Sequence, residues 1–363
     1  MGDTYPKLRV AVAQAAPVFL NREASVDKAC RIIEEASAQS AQLVGFPESF
    51  IPAHPVWHHF RPATEKGSHR LGRELFKNAV EIPGPATEAL CAAARKAKCY
   101  VVIGICEKRT GSMGTLYNSQ LFIDCQGRIL GKHQKLTPTL GERLVHTGGF
   151  GDTLRSFDTE FGKISGLICG ENNNALAVFA LVAQDTCIHI ASWPNHFTPG
   201  GVHMPDEVLV TSRSLAYKAN CFVLSCCGVI SEEMEEILLY RDSDRAFLQE
   251  AANGGGSCII APNGRVITGP LGGEEDILYA DIDLEDVVEA RLRYDYAGHY
   301  NRPDVFTLTV RSAVPRLFQW QEAPPVFPQT SAGVSPEADL EGGERPSPPG
   351  EEKSPEIPIL KAP

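Results

Sequence analysis

The chain has 363 residues, 43% of them hydrophobic, enough for a large buried core in one or two domains. Its net charge of −11 argues against a nucleic-acid partner, because gripping phosphates calls for clustered Lys and Arg and no long basic stretch is visible. No apolar run reaches the ~18 residues of a membrane-spanning helix, and Met1 to Gln14 lack the apolar core and cleavage site of a signal peptide. A soluble cytoplasmic protein is expected. The eleven cysteines are odd in number and contain no CxxC pair, so reduced thiols are expected and a structural zinc site has no support.

In chain order, Leu8 to Gln14 alternates and is rich in β-branched residues, which predicts a first strand. Asn21 is placed to cap a helix carrying Val26, Ala29, Cys30, Ile33 and Ala36 on one stripe. Leu43 to Phe46 predicts a short buried strand ending at Pro47-Glu48, Thr87 to Lys98 a helix, and Tyr100 to Cys106 another strand. Leu121 to Asp124 and Arg128 to Leu130 form a hairpin pattern around Gln126-Gly127. Strands then recur at Ile164 to Ile168, Cys187 to Ala191 and Phe222 to Val229, with helices at Ala175 to Gln184 and Val208 to Ala219.

This alternation predicts one α/β domain over residues 5–310, followed by an extension at 311–329. From Glu322 onward the composition changes: ten of the 26 prolines fall there, with eight acids against three bases. Residues 330–363 are expected to form a disordered tail, because so little apolar surface cannot offset chain entropy.

Three features carry chemistry. Phe46-Pro47-Glu48-Ser49 puts an acid where a buried strand stops, Gly131-Lys132-His133-Gln134-Lys135-Leu136 puts a cation after the hairpin, and Ile168-Cys169-Gly170-Glu171 puts a thiol between strand and helix. Strand ends along one sheet edge are where α/β proteins collect ligands. A helix starting near Asn174 is expected to lower the Cys169 pKa, and Gly166 and Gly170 to permit a sharp turn. Singly, each feature has a plainer reading: a packed Cys, a capping Glu, a solvated Lys.

Together, in this order, they resemble the nitrilase family, whose Glu, Lys and Cys lie in three such motifs. Phe46-Pro47-Glu48 matches the first, His133-Gln134-Lys135-Leu136-Thr137-Pro138-Thr139 the second, and Cys169-Gly170-Glu171-Asn172 the third, with Ser192-Trp193-Pro194 after the next strand. The resemblance spans residues 7–310. It implies a four-layer α-β-β-α sandwich and hydrolysis of an organic nitrile to an acid and ammonia. Cys169 would be the nucleophile, Glu48 the general base, Lys135 the stabilising cation, and Glu142, in Gly141-Glu142-Arg143, a second carboxylate. No metal or organic cofactor is implied. Gly170 stands where nitrilases usually carry Trp, which leaves room beside the thiol.

The resemblance also sets Trp193, Asn195 and His196 beside the pocket, with Trp57 as a further aromatic wall and Gly170 as the space for substrate. Core packing is the other reading of Trp193. His54, His58 and His59 lie just after Glu48; zinc ligation is one reading of His54 and His58, and a loop shaping the pocket or an interface the other. His299 falls in a segment that looks like one near assembly contacts and the site. Homodimers and longer spiral or filamentous assemblies are implied, growing through an insertion that Ser231 to Gly256 resembles; its plainer reading is a mobile surface loop. Two other functions stay open: an amidase or carbamoyl-hydrolysing enzyme with the same thiol chemistry, and a non-catalytic binding protein on this fold.

Overall fold

The computed structural model describes residues 2–195, 203–251, 254–315 and 318. Both faces of the first strand are buried: Val10 and Val12 look one way, Ala11 and Ala13 the other. A strand covered on both sides needs two layers over it, and the rest of the chain supplies them.

The first half runs β1 (Lys7–Gln14), α1 (Arg22–Ala38), β2 (Leu43–Gly45), α2 (Lys66–Asn78), α3 (Pro85–Ala97), β3 (Tyr100–Lys108), β4 (Leu116–Ile123) and β5 (Ile129–Gln134). The second half runs β6 (Phe157–Thr159), β7 (Gly162–Ile168), α4 (Ala175–Val182), β8 (Thr186–Trp193), α5 (Met204–Ala219) and β9 (Phe222–Cys227). It continues through α6 (Glu232–Leu238), α7 (Asp242–Ala251), β10 (Cys258–Ile260), β11 (Val266–Thr268), β12 (Asp276–Asp283) and α8 (Glu285–Arg293).

Two six-stranded mixed sheets result, ordered β12-β1-β2-β3-β4-β5 and β11-β10-β9-β8-β7-β6. Within them β1, β2 and β3 are parallel, as are β7, β8 and β9. Val10, Val12, Val102 and Phe122 of the first sheet meet Ile164, Ile190, Phe222 and Leu224 of the second in one apolar layer. The outer face of the first sheet is covered by α1 and α3, and that of the second by α4 and α5. The architecture is the expected α-β-β-α sandwich.

Asn21 caps α1 as its sequence predicts, its side chain accepting from the Ala24 N–H at 3.1 Å. The hairpin is longer than the local pattern indicates, because β4 and β5 continue in register away from the Gln126-Gly127 turn. Ser231 to Gly256 is not a bare loop: α6 and α7 bury Met234, Leu238, Phe247 and Leu248 against Trp57, Leu71 and Val56. The 3-10 turn Val56–His59 is thereby covered, and Arg61 just beyond it makes a buried ion pair with Asp244 of α7 at 3.1 Å. No helix among the described residues is long and apolar enough to cross a membrane. Residues 330–363 and the disorder expected of them lie outside the described residues, as does His196.

Candidate active site

The ends of β2, β5, β7 and β8 converge. After β2 the chain crosses Gly104, where a Cβ would sit 2.1 Å from the Pro47 carbonyl oxygen, so only glycine lets the Glu48 segment lie flat there. The Glu48 N–H donates to the carbonyl of Trp193, at the end of β8, at 3.1 Å. Ser49, Leu140 and Cys169 all hold left-handed backbone, with φ of 47°, 47° and 55°. Each non-glycine residue in that region stores about 1–3 kcal/mol of strain, and each stands at or within two positions of a candidate residue. The turn at the thiol is thus made by Cys169 itself and not by its glycines. Gly166 instead admits Gln120, whose Oε1 would lie 2.4 Å from a Cβ there.

The polar centre is a closed network around a buried ammonium. Lys135 Nζ donates to Glu48 Oε1 at 2.8 Å and to Glu142 Oε2 at 2.5 Å. Asn118 Nδ2 bridges the same two carboxylates, at 2.6 Å to Glu48 and 2.7 Å to Glu142. Glu142 also accepts from the Thr139 N–H at 2.9 Å and lies 3.0 Å from His146 Nδ1. Glu48 Oε2, by contrast, is buried without a hydrogen-bond partner among the described residues. Their proton affinities diverge accordingly. Burial raises Glu48 to about 7 against the pull of Lys135, with Glu142 adding to the rise. Glu142, although also buried, is held well below the carboxylate range by Lys135 and His146. Burial works against the Lys135 ammonium, but Glu48 and Glu142 keep it well above its ordinary value. Carboxylates pushed apart in this way divide the roles of base and fixed anion.

Cys169 directly follows β7 and opens a 3-10 turn, Cys169–Asn173. Burial and then Glu48 push its thiol well above the ordinary value, while Lys135 pulls it down. The expected activation by a helix start does not hold, because α4 begins only after that turn and the Asn174 side chain already takes the Leu176 and Ala177 N–H groups. A thiol kept protonated at rest needs a base at the moment of reaction. Around it the turn is pinned twice. Asn172 Nδ2 donates to the Cys169 carbonyl at 2.8 Å while its Oδ1 lies 2.9 Å from His189 Nε2, and His189 Nδ1 is 2.9 Å from Ser165 Oγ. Burial lowers His189 to about 3, so the ring is neutral and carries its proton on Nε2. Glu171 accepts from the N–H groups of Leu136 and Ile168 and lies 3.0 Å from His133 Nε2, which ties the Lys135 strand end to the thiol's.

A family model for carbon-nitrogen hydrolases matches residues 9–292. A nitrilase of Bacillus sp. is 37% identical over 310 residues, covering 85% of this chain and 89% of its own. The chain belongs to the nitrilase family of carbon–nitrogen hydrolases. An arylacetonitrilase of Aspergillus oryzae is 35% identical over 315 residues, covering 84% and 92%. Among solved structures, a carbon-nitrogen hydrolase of Helicobacter pylori shares the fold with a TM-score of 0.61 at 18% identity, over 80% of this chain and 94% of that one.

In this nitrilase-family chain Glu48, Lys135, Glu142 and Cys169 lie in one buried electrostatic centre. Trp193 packs in the same apolar cluster as Cys169, with its indole N–H unpartnered among the described residues, as is Asn195 Oδ1. Trp57 is fully buried in a different cluster, edge-on to Phe19, so the structure gives it no open face. Gly170 is exposed, and a Cβ there would meet only Thr139 Oγ1, at 3.9 Å. His54 is buried with Nδ1 3.7 Å from Glu48 Oε1 and stacks on His59. Glu48, His54 and Glu142 bring ligand-type atoms within 4.8 Å of one another, but the Lys135 ammonium already bridges both carboxylates, and a metal ion would sit against that charge. His299 is exposed, edge-on to Tyr300. Sequence reasoning missed Asn118 and His146, which lie outside the three motifs; the polar run Asn118-Ser119-Gln120 between the apolar ends of β4 is the signal that could have drawn attention to Asn118.

Proposed function

We propose that this hydrolase converts organic nitriles to carboxylic acids and ammonia through covalent intermediates on Cys169. One observation carries the reading. Glu48 is a buried carboxylate with one oxygen anchored by Lys135 and Asn118, the other without a partner, and a proton affinity near neutrality. That combination suits a base that must take and return protons repeatedly.

Glu48 takes the thiol proton, the sulfur adds to the nitrile carbon, and the proton passes to nitrogen, giving a thioimidate. Water adds with Glu48 again as base; the C–N bond breaks, ammonia leaves, and a thioester remains. A second water breaks the C–S bond, releasing the acid and restoring the thiol. Two waters are consumed per nitrile and no electrons change hands. Lys135 faces the negative charge that develops at each tetrahedral stage. Glu142 serves as the permanent anion that keeps Lys135 charged and in place.

Aryl-substituted or medium-chain nitriles are the proposed substrates. The open space at Gly170 and the apolar cluster holding Trp193 support this reading, as does the relative that is named an arylacetonitrilase. Trp57 acts on the pocket only as buried backing, and Asn195 Oδ1 is a polar contact available to substrate or water. The catalytic domain is taken as residues 5–310, the extension as 311–329 and the tail as 330–363. A cytoplasmic location and assembly into homodimers or longer spirals belong to the same proposal; the exposed Tyr217, Tyr294, Tyr296 and Tyr300 support assembly, and sedimentation tests it.

The decisive experiment offers phenylacetonitrile, hexanenitrile and acetonitrile beside the matching amides and measures ammonia and acid. Faster release from the first two nitriles than from acetonitrile or any amide is expected, with Cys169→Ala inactive yet folded. Faster turnover of amides would favour the amidase alternative, and ammonia release by Cys169→Ala would overturn the assignment.

A further inference from the structure

Behind the centre lies a second thiol that the chemistry above does not use. Cys106 of β3 is fully buried, and its Sγ is 3.3 Å from Nε2 of His146. The same imidazole presents Nδ1 to Glu142 Oε1 at 3.0 Å. Cys106 pairs directly with Asn118 across β3 and β4, so both side chains leave the sheet on one face. The two residues therefore approach the Glu142 carboxylate from adjacent strands: Asn118 directly, Cys106 through the ring.

We propose that His146 is a positioning residue for the Glu142–Lys135 pair, with the Cys106 thiol fixing which ring nitrogen carries the proton. The inference rests on the nitrile-hydrolysis reading for its kinetic consequence only. An ionised carboxylate only accepts, so Nδ1 must carry the hydrogen that faces Glu142. In the neutral ring Nε2 is then an acceptor, and the group set against it is the Cys106 S–H. Burial pushes that thiol above its ordinary value and keeps its hydrogen available. The backbone holds the ring as well: the His146 N–H donates to the Glu142 carbonyl at 2.8 Å, and the Thr147 N–H to the Leu116 carbonyl at 2.7 Å.

Glu142 thus has four donors: Asn118 and His146 on Oε1, Lys135 and the Thr139 N–H on Oε2. Only Asn118 and Lys135 are shared with Glu48. His146 supplies a donor that the base does not compete for. Without it, the buried Glu142 anion draws Lys135 and Asn118 toward itself and away from Glu48. Glu48 then loses part of its counter-charge and holds its proton more tightly. The other titratable groups facing this cluster are His54 and His59 beside Glu142, Cys169 beside Lys135, and Glu107 near Cys106.

The test uses the full chain and two readouts: nitrile turnover, and the pH dependence of iodoacetamide labelling at Cys169 followed by peptide mass spectrometry. His146→Leu is expected to lower kcat about ten-fold with KM nearly constant, and to move the acidic limb of labelling up by about half a pH unit or more. Cys106→Ala is expected to move the limb the same way, by less. His146→Asn places an amide N–H near the position of Nδ1 and is expected to restore both readouts. His146→Gln reaches toward Cys106 instead and is expected to restore neither. A limb that stays in place in His146→Leu, or equal behaviour of the Asn and Gln variants, would overturn the proposal. If the Leu variant does not fold, the Asn and Gln pair decides alone. A wild-type chain that releases no ammonia from nitriles sinks the functional reading, while the labelling limb still judges His146.

Discussion

Glu48 and Glu142 share one lysine and one asparagine, yet their environments send their proton affinities in opposite directions. The difference lies in donors: Glu142 is saturated, whereas half of the Glu48 carboxylate has none. For catalysis the sign is simple. Glu48 must be ionised to take the thiol proton, so kcat/KM should rise with pH through about 7 and level off above it. Glu48→Gln should lower turnover by about 10²-fold or more across the range. A rate independent of pH between 5 and 8 would remove Glu48 as the base. The neighbouring Gly170 supports a second expectation. Because a Cβ there finds only Thr139 nearby, Gly170→Trp should fold, fill the space beside the thiol and penalise phenylacetonitrile more than acetonitrile. Equal losses in kcat/KM for the two nitriles would mean that Gly170 serves the turn and not the pocket.

At the scale of elements, the arm formed by α6 and α7 is fastened to the segment that follows Glu48. Arg61 pairs with Asp244, donates to the Leu238 carbonyl, and lies over the rings of Phe60 and Tyr240 at 5.3 and 5.4 Å. Removing one partner of a buried, hydrogen-bonded pair leaves an uncompensated charge, so Asp244→Ala should destabilise by about 3–5 kcal/mol. Denaturant unfolding measures this, and a change below about 1 kcal/mol would show the pair to be effectively solvated. The local sequence announces only a helix start in this arm, with Ser231 capping α6 ahead of Glu232 and Glu233; where its apolar residues pack is set by a partner far along the chain. The elements with strong local signals were legible: the capped α1, the buried β3, the turn between β4 and β5, and the strand–turn–helix at Cys169. The short β2 was legible in the run Leu43 to Phe46, whereas the edge strand β12 and the short β10 owe their existence to pairing with β1 and β9 across long separations, which no local period encodes. The site divides the same way. Glu48, Lys135, Cys169 and Glu142 sit in dense motifs, whereas Asn118 and His146 acquire meaning only when β3, β4 and the turn after Thr139 come together. The left-handed backbone at Ser49, Leu140 and Cys169 carries no glycine to signal it.

At the scale of the molecule, deletion of residues 330–363 should leave nitrile turnover within about two-fold, since a segment so rich in proline and acid has little with which to dock. Loss of activity in the truncated protein would show that it packs against the catalytic domain. The sandwich itself is closed by β12, which pairs with β1 along all eight residues and adds the Arg9–Asp281 ion pair between positions 272 apart. A sheet begun by the first strand to leave the ribosome is therefore finished by nearly the last. At about 5–20 residues per second of synthesis, the β1 edge waits roughly 14–55 s for its partner. During that interval a row of backbone donors and acceptors flanked by Val10, Ala11 and Val12 stands open to any other strand. The slow step in making this enzyme is then one of sequence distance: its tolerance of crowding during synthesis is set by how well that edge is shielded before residue 283 emerges.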